Sequence, residues 1–248
     1  GFSGPGWTLA AVVFFYGPML VCLFLMEADS LMSSQEESFK AGRDRPAVIS
    51  DYRESVRYVR NSPGISAAIL TIAIVSTFGF PVVQQIIVFS EEVFEVSPFL
   101  FGLLGSAQGI GAVLVVPVVT GYVSYLKPSV QQLIATVGYG LAVILFAVAP
   151  SYAVAFCALG ILGIMHLTSA SNLNSVVQLQ VDEEMRGRVM AIYLVGVLGP
   201  APFAGLAMGW LISVFGPRPV VALSGSILAL SAIVLRVRGK FSNLNTVN

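Results

Sequence analysis

Residues Gln180–Pro219 read QVDEEMRGRVMAIYLVGVLGPAPFAGLAMGWLISVFGPRP, and the fold turns on how they are read. Three acids, Asp182, Glu183 and Glu184, stand where the positive end of a helix dipole favours negative charge, and Arg186 and Arg188 follow within a turn. From Val189 to Phe215 no side chain is charged. Such a run exceeds the roughly 20 residues needed to cross a hydrocarbon core about 30 Å thick, so it predicts a membrane span. The two arginines then mark its cytoplasmic end.

The rest of the chain has the same character. Charged residues make up 10% and hydrophobic ones 56%, with a mean hydropathy of +0.86, whereas soluble domains carry roughly 25% charge. Lipid is the solvent such a chain needs. The formal net charge is zero, which offers no footing for nucleic acid or an acidic partner. Cys22 and Cys157 lie in separate apolar runs without a CxxC or Cys/His cluster, so neither a disulfide nor a metal site is expected. The sequence also lacks a phosphate-binding glycine loop, a plausible Ser/His/Asp set and paired carboxylates at span depth, so neither an enzyme nor a cofactor is expected.

Seven uncharged runs suit spans: Trp7–Met26, Gly64–Phe89, Pro98–Tyr122, Val130–Ala149, Tyr152–Val177, Val189–Phe215 and Val220–Leu235. This predicts an all-α polytopic bundle. Loop charge tests the count, because Lys and Arg gather on the cytoplasmic side. Lys40, Arg43, Arg45, Arg53, Arg57 and Arg60 fall in the first loop, Lys127 in the third, Arg186 and Arg188 in the fifth, and Arg236, Arg238 and Lys240 in the tail. Alternate loops hold only Arg218. That parity places the N-terminus outside and the C-terminus in the cytoplasm.

The expected organisation is a first span over 1–26, a cytoplasmic linker over 27–63, a six-span bundle over 64–236 and a tail over 237–248. Within the linker, Ile49, Tyr52, Val56 and Val59 recur at helical spacing, predicting a helix over 47–61 that lies along the membrane interface, or a short cytosolic helix clear of lipid. Gly1 is not a start methionine and no basic segment precedes the first span, so the N-terminus reads as cut.

The run Asn174–Met190 (NSVVQLQVDEEMRGRVM) resembles the junction between the tenth and eleventh helices of major facilitator superfamily exporters. The nearest type is the macrolide-efflux and enterobactin-exporter group of drug:proton antiporters. Residues 52–61 (YRESVRYVRN) and 101–111 (FGLLGSAQGIG) are similar to that family's segments before its seventh span and in its eighth. The resemblance implies helices six to twelve of a twelve-helix transporter, with an N-terminal six-helix half as partner. It also implies alternating access in the plasma membrane (the bacterial inner membrane), exporting small apolar or zwitterionic molecules in exchange for protons. A seven-span receptor or scaffold is the alternative. Two departures stand out: Gly121–Pro128 lacks the Asp-Arg pair of the superfamily's gating motif, and no Asp or Glu lies within a span.

Polar groups in the spans are the candidate substrate contacts: Gln84, Gln85, Gln108 and His166. His166, the only histidine, suits proton exchange, or else a buried imidazole satisfied by Thr168, Ser169 or Ser171. Asn172 and Asn174 lie near the cytoplasmic mouth, within reach of water. Under the resemblance, Arg186 and Arg188 gate the cytoplasmic rim by gripping acids or helix ends; otherwise they anchor the span at lipid headgroups. Pro81, Gly199, Pro200 and Pro202 should break helices and serve as hinges. Two GxxxG patterns, Gly105/Gly109 and Gly205/Gly209, predict close helix crossings.

Overall fold

The computed structural model describes Phe14, Tyr16, Gly17, Val21, residues 45–121 and residues 126–245. The chain divides into two units, Gly1–Asp51 and Tyr52–Asn248, and the helical bundle belongs to the second. Most of the expected first span, residues 27–44 of the linker and the loop 122–125 lie outside the described residues.

Helix α1 covers Arg45–Asn61, and α2 begins at once with Pro63 and runs to Phe78. Short helices α3 (Phe80–Gln84) and α4 (Ile86–Val88) and a π turn over Phe89–Val93 continue it. Then come α5 (Pro98–Gly121), α6 (Pro128–Ala147), α7 (Tyr152–Gln180), α8 (Arg186–Leu198), α9 (Pro200–Phe215) and α10 (Pro217–Val237). A 3-10 turn, Lys240–Asn245, ends the described chain. Five of these helices open on proline, which has no N–H to lose in a first turn and a φ already suited to it. Between α9 and α10 the chain reverses at Gly216, whose φ of 82° a side chain would resist.

Among the described residues five stretches are long and apolar enough to cross a membrane: Pro63–Val93, Pro128–Ala147, Tyr152–Gln180, Glu183–Phe215 and Pro217–Val237. The 24-residue α5 stands beside them. The fold is thus an all-α membrane bundle, as expected. Glu91 and Glu92, which follow the second expected span, sit in the π turn that prolongs the first of these stretches. There the Phe94 N–H reaches Phe89 O at 2.9 Å, five residues back.

Helix α6 packs between α7 and α10, and α5 packs along α7. Glycine makes these approaches close, but at positions other than the expected ones. A Cβ on Gly111 or Gly163 would collide with the carbonyl of Gly160 or Gln108, and one on Gly140 would lie 2.5 Å from Gly225 O. Gly105, Gly109 and Gly209 have nothing within 4 Å among the described residues. Spacing shows that a face is small, and of the GxxxG glycines a close neighbour is met only at Gly205, where a Cβ would lie 3.0 Å from Gln84 Oε1.

One apolar core holds the end away from the basic loops, with Phe89 against Phe146 at a centroid distance of 4.5 Å. The other lies at the basic end and joins Val59, Val177, Val189, Phe241 and Leu244. Its membership brings the first-loop helix, the α7–α8 junction and the tail to one end, as the charge parity requires.

The buried face of α1 keeps Val59 and, half-buried, Val56 of the expected set, but not Tyr52. Ser55 and Val59 are buried and Tyr58 half-buried, while Tyr52 is 65% exposed. Apolar spacing alone selected Tyr52; the helix instead turns toward the bundle a tyrosine whose hydroxyl has a partner there.

Candidate functional site

Two helix breaks dominate the interior. Pro81 has no N–H to offer the turn before it. Helix α2 ends at Phe78, the Gly79 N–H still reaches Val75 O at 2.7 Å, and the Val82 N–H turns to Gly79 O at 3.2 Å. The Ser224 hydroxyl of α10 donates to Phe78 O at 2.5 Å. The second break is Gly199, between α8 and α9, where Pro200 and Pro202 each remove a donor. Here the Ser76 hydroxyl of α2 donates to Val197 O. A serine from a neighbouring helix therefore satisfies a carbonyl at each break. Such bonds are worth about 1 kcal/mol each, and carbonyls freed in lipid need them. The expected breaks at Pro81, Gly199, Pro200 and Pro202 are present as geometry.

Beside the first break lies a polar cluster. Gln108 Nε2 on α5 is 3.3 Å from His166 Nδ1 on α7. The Tyr139 ring of α6 stacks obliquely on the imidazole at 5.4 Å. Tyr139 is fully buried, and its hydroxyl has no hydrogen-bond partner among the described residues. It abuts the break, since a Cβ on Gly79 would lie 2.8 Å from Tyr139 Oη. Two of the expected hydroxyl partners of His166 are engaged elsewhere: Thr168 donates to Ile164 O at 2.8 Å, and Ser169 accepts from Gln132 at 2.7 Å. Gln108 takes their place. Gln84 is exposed toward Gly205 of α9 and Gln85 is half-buried. No hydrogen bond joins those two to Gln108 or His166 among the described residues.

At the basic end, Arg188 Nη1 donates to Glu54 Oε2 at 3.0 Å. Both side chains are more than a third exposed, at 37% and 64%, so the pair is worth no more than about 1 kcal/mol. One helical turn along α1, the Tyr58 hydroxyl donates to Asp182 Oδ2 at 2.9 Å, and the Asp182 N–H donates back to Tyr58 Oη at 3.1 Å. Partial burial raises the Tyr58 phenol above the usual tyrosine pKa, which keeps it a donor at neutral pH. Arg186 is exposed, with no carboxylate in ion-pair range among the described residues. The structure separates two arginines that the sequence treats alike.

Two further polar groupings escaped sequence reasoning. Gln132 donates to Thr136 at 2.9 Å and to Ser169, while Asn172 donates to Gln132 Oε1 at 2.9 Å and to Pro128 O at 3.1 Å. Asn172 is 6% exposed, so protein rather than water satisfies it. In the tail, Phe241 and Leu244 are buried, Asn245 exchanges two hydrogen bonds with Ser129 (3.0 and 2.9 Å), and Gln180 donates to the Asn243 and Leu244 carbonyls at 3.4 Å. The sequence's one hint is amide residues near helix ends.

A family model described as Major Facilitator Superfamily matches residues 1–201. The chain belongs to the major facilitator superfamily. A search of curated proteins found no match. As a superfamily member with these apolar helices, it is a multi-pass membrane protein of a transporter family. In this major facilitator bundle, polar chemistry gathers in three places: the rim at Glu54, Tyr58, Asp182 and Arg188, the breaks held by Ser76 and Ser224, and the Gln108–His166 pair.

Proposed function

We propose that the chain supplies helices six to twelve of an alternating-access secondary exporter for small apolar or zwitterionic molecules. It works as a proton antiporter in the bacterial inner membrane with its basic end cytoplasmic, the N-terminus outside and the tail inside. Residues 1–26 form the first span, 27–63 the linker with its helix over 47–61, 64–236 the six-span bundle and 237–248 the tail. A second, N-terminal six-helix bundle completes the cavity. It covers α5 where Gly102, Gly105 and Gly109 have nothing within 4 Å among the described residues, and α9 where Phe203, Leu206 and Trp210 are exposed.

The observation that carries this reading is the meeting of two broken helices. The last turn of α2 receives Ser224 at Phe78 and sends Ser76 to Val197, so the breaks at Gly79–Pro81 and Gly199–Pro202 are coupled through one turn. Pro81, Gly199, Pro200 and Pro202 act as hinges. Gln84, Gln85, Gln108 and His166 face the substrate path, and the imidazole, the one histidine of the chain, serves the coupling. Arg188 closes the rim on Glu54 in this conformation, and Arg186 engages in the opposite one.

Two experiments test this. The chain is reconstituted alone and with an N-terminal half, and an imposed proton gradient should drive flux of the zwitterionic dye rhodamine B only in the pair. Spin labels at Arg57 and Gly187 should show two distances whose populations shift between pH 5 and pH 8. A single, pH-independent distance would sink alternating access whatever the substrate.

A further inference from the structure

Between α2, α9 and α10 lies a cavity of about 470 Å³. Its wall on α9 runs from Ala204 to Phe215, and no charged residue lines it. The two hydroxyls in the wall are already committed: Thr77 donates to Ala73 O at 2.7 Å and Ser224 to Phe78 O at 2.5 Å. An occupant therefore finds no donor in need of an acceptor and no charge to pair with. Polar and ionised ligands would lose their hydration for nothing there.

Shape narrows the class further. Ala204 to Phe215 spans about 16 Å along a helix at 1.5 Å per residue. A slot of that length, apolar along its whole wall, matches an extended hydrocarbon chain. The slot opens sideways, because Ala207, Phe215, Pro219 and Leu223 are exposed while Met208, Val220 and Ser224 form its buried floor. One end, at Phe215 and Pro219, flanks the Gly216 turn at the surface end of the bundle; the other, at Thr77 and Ala204, lies deeper, beside the α2 break.

We propose that this slot binds one acyl chain of a membrane phospholipid from the leaflet at the α9–α10 turn, with its methyl end beside Phe78 and Ser224. The headgroup stays at the surface. Because Ser224 both floors the slot and holds the Phe78 carbonyl, the chain packs directly on one of the two break-stabilising bonds. The assignment stands on the slot alone and holds whether or not the chain is an antiporter.

The test uses the full chain in liposomes containing phosphatidylcholine spin-labelled near the chain terminus. The motionally restricted lipid component should fall by about one lipid per chain in A204F and A207F, which fill the slot. It should be unchanged in A191F, a substitution of equal size on the exposed face of α8. Widening the slot with L211A should retain the restricted component. Equal restricted fractions in wild type and both filled variants, at unchanged melting temperature, would overturn the proposal, and so would an equal loss in A191F. If A204F or A207F fails to fold, displacement in the wild-type protein decides. Unlabelled long-chain phosphatidylcholine should compete for the component, and competition by a rigid sterol with equal potency would overturn the linear-chain assignment.

Discussion

At the scale of single residues, the basic end separates arginines that look equivalent in sequence. Arg188→Glu should disrupt the closed rim through repulsion with Glu54, and the swap Glu54→Arg with Arg188→Glu should restore it. Melting temperature should move little in either case, since an exposed pair contributes no more than about 1 kcal/mol; the rim distance between labels at Arg57 and Gly187 is the informative readout. A larger stability effect belongs to Gln132, which is wholly buried and hydrogen-bonded to Thr136, Ser169 and Asn172. Gln132→Leu strips three partners at once and should cost about 2–4 kcal/mol by thermal unfolding in detergent. Sequence alone marked His166 and Gln108 as polar groups needing partners, and they found each other. It could not mark Gln132, because a glutamine near a span end reads as surface until the helix packed over it is known. Nor could it tell Arg188 from Arg186, since only the placement of α1 decides which guanidinium meets Glu54.

At the scale of helices, contact decides what a glycine does. Gly111→Ala and Gly163→Ala place a methyl against backbone carbonyls of the facing helix, and with no side chain able to yield, each should destabilise the α5–α7 pair by about 2–4 kcal/mol. Gly105→Ala and Gly109→Ala meet open space in this chain and should be neutral or gain up to about 1 kcal/mol from helix propensity. Comparing the four melting temperatures checks the crossing directly. If an N-terminal bundle covers α5, the last two variants should instead weaken association with that half. Helix existence was legible here, because apolar length and the prolines at Pro63, Pro98, Pro128 and Pro217 punctuate the chain. The serine bonds at the breaks were not. Ser76 and Ser224 look like ordinary small residues in apolar runs, and their value comes from carbonyls exposed by prolines on other helices. Ser76→Ala should raise amide exchange at Leu198–Ala201 severalfold while leaving that of α6 unchanged.

At the scale of the whole bundle, loop charge foretold which ends of the helices lie together. The second core bears this out by joining α1, the α7–α8 junction and the tail. What charge could not foretell is that the tail is part of the fold. Phe241 and Leu244 fill the basic end, so F241A with L244A should lower stability by about 4–6 kcal/mol, whereas substitutions in a free tail would be silent. Calorimetry or a thermal shift in detergent distinguishes the two.

Both ends of the bundle hold an apolar core, and the basic end adds polar bonds over its own. Glu54 with Arg188 and Tyr58 with Asp182 join one end through groups that water and ions can reach, whereas Phe89 on Phe146 closes the other through rings that electrolyte cannot screen. Ionic strength is therefore a one-sided perturbant for this protein. Raising it weakens the Glu54–Arg188 pair and leaves both apolar cores and the Phe89–Phe146 contact untouched, so a salt titration isolates the contribution of that pair without altering a single amino acid.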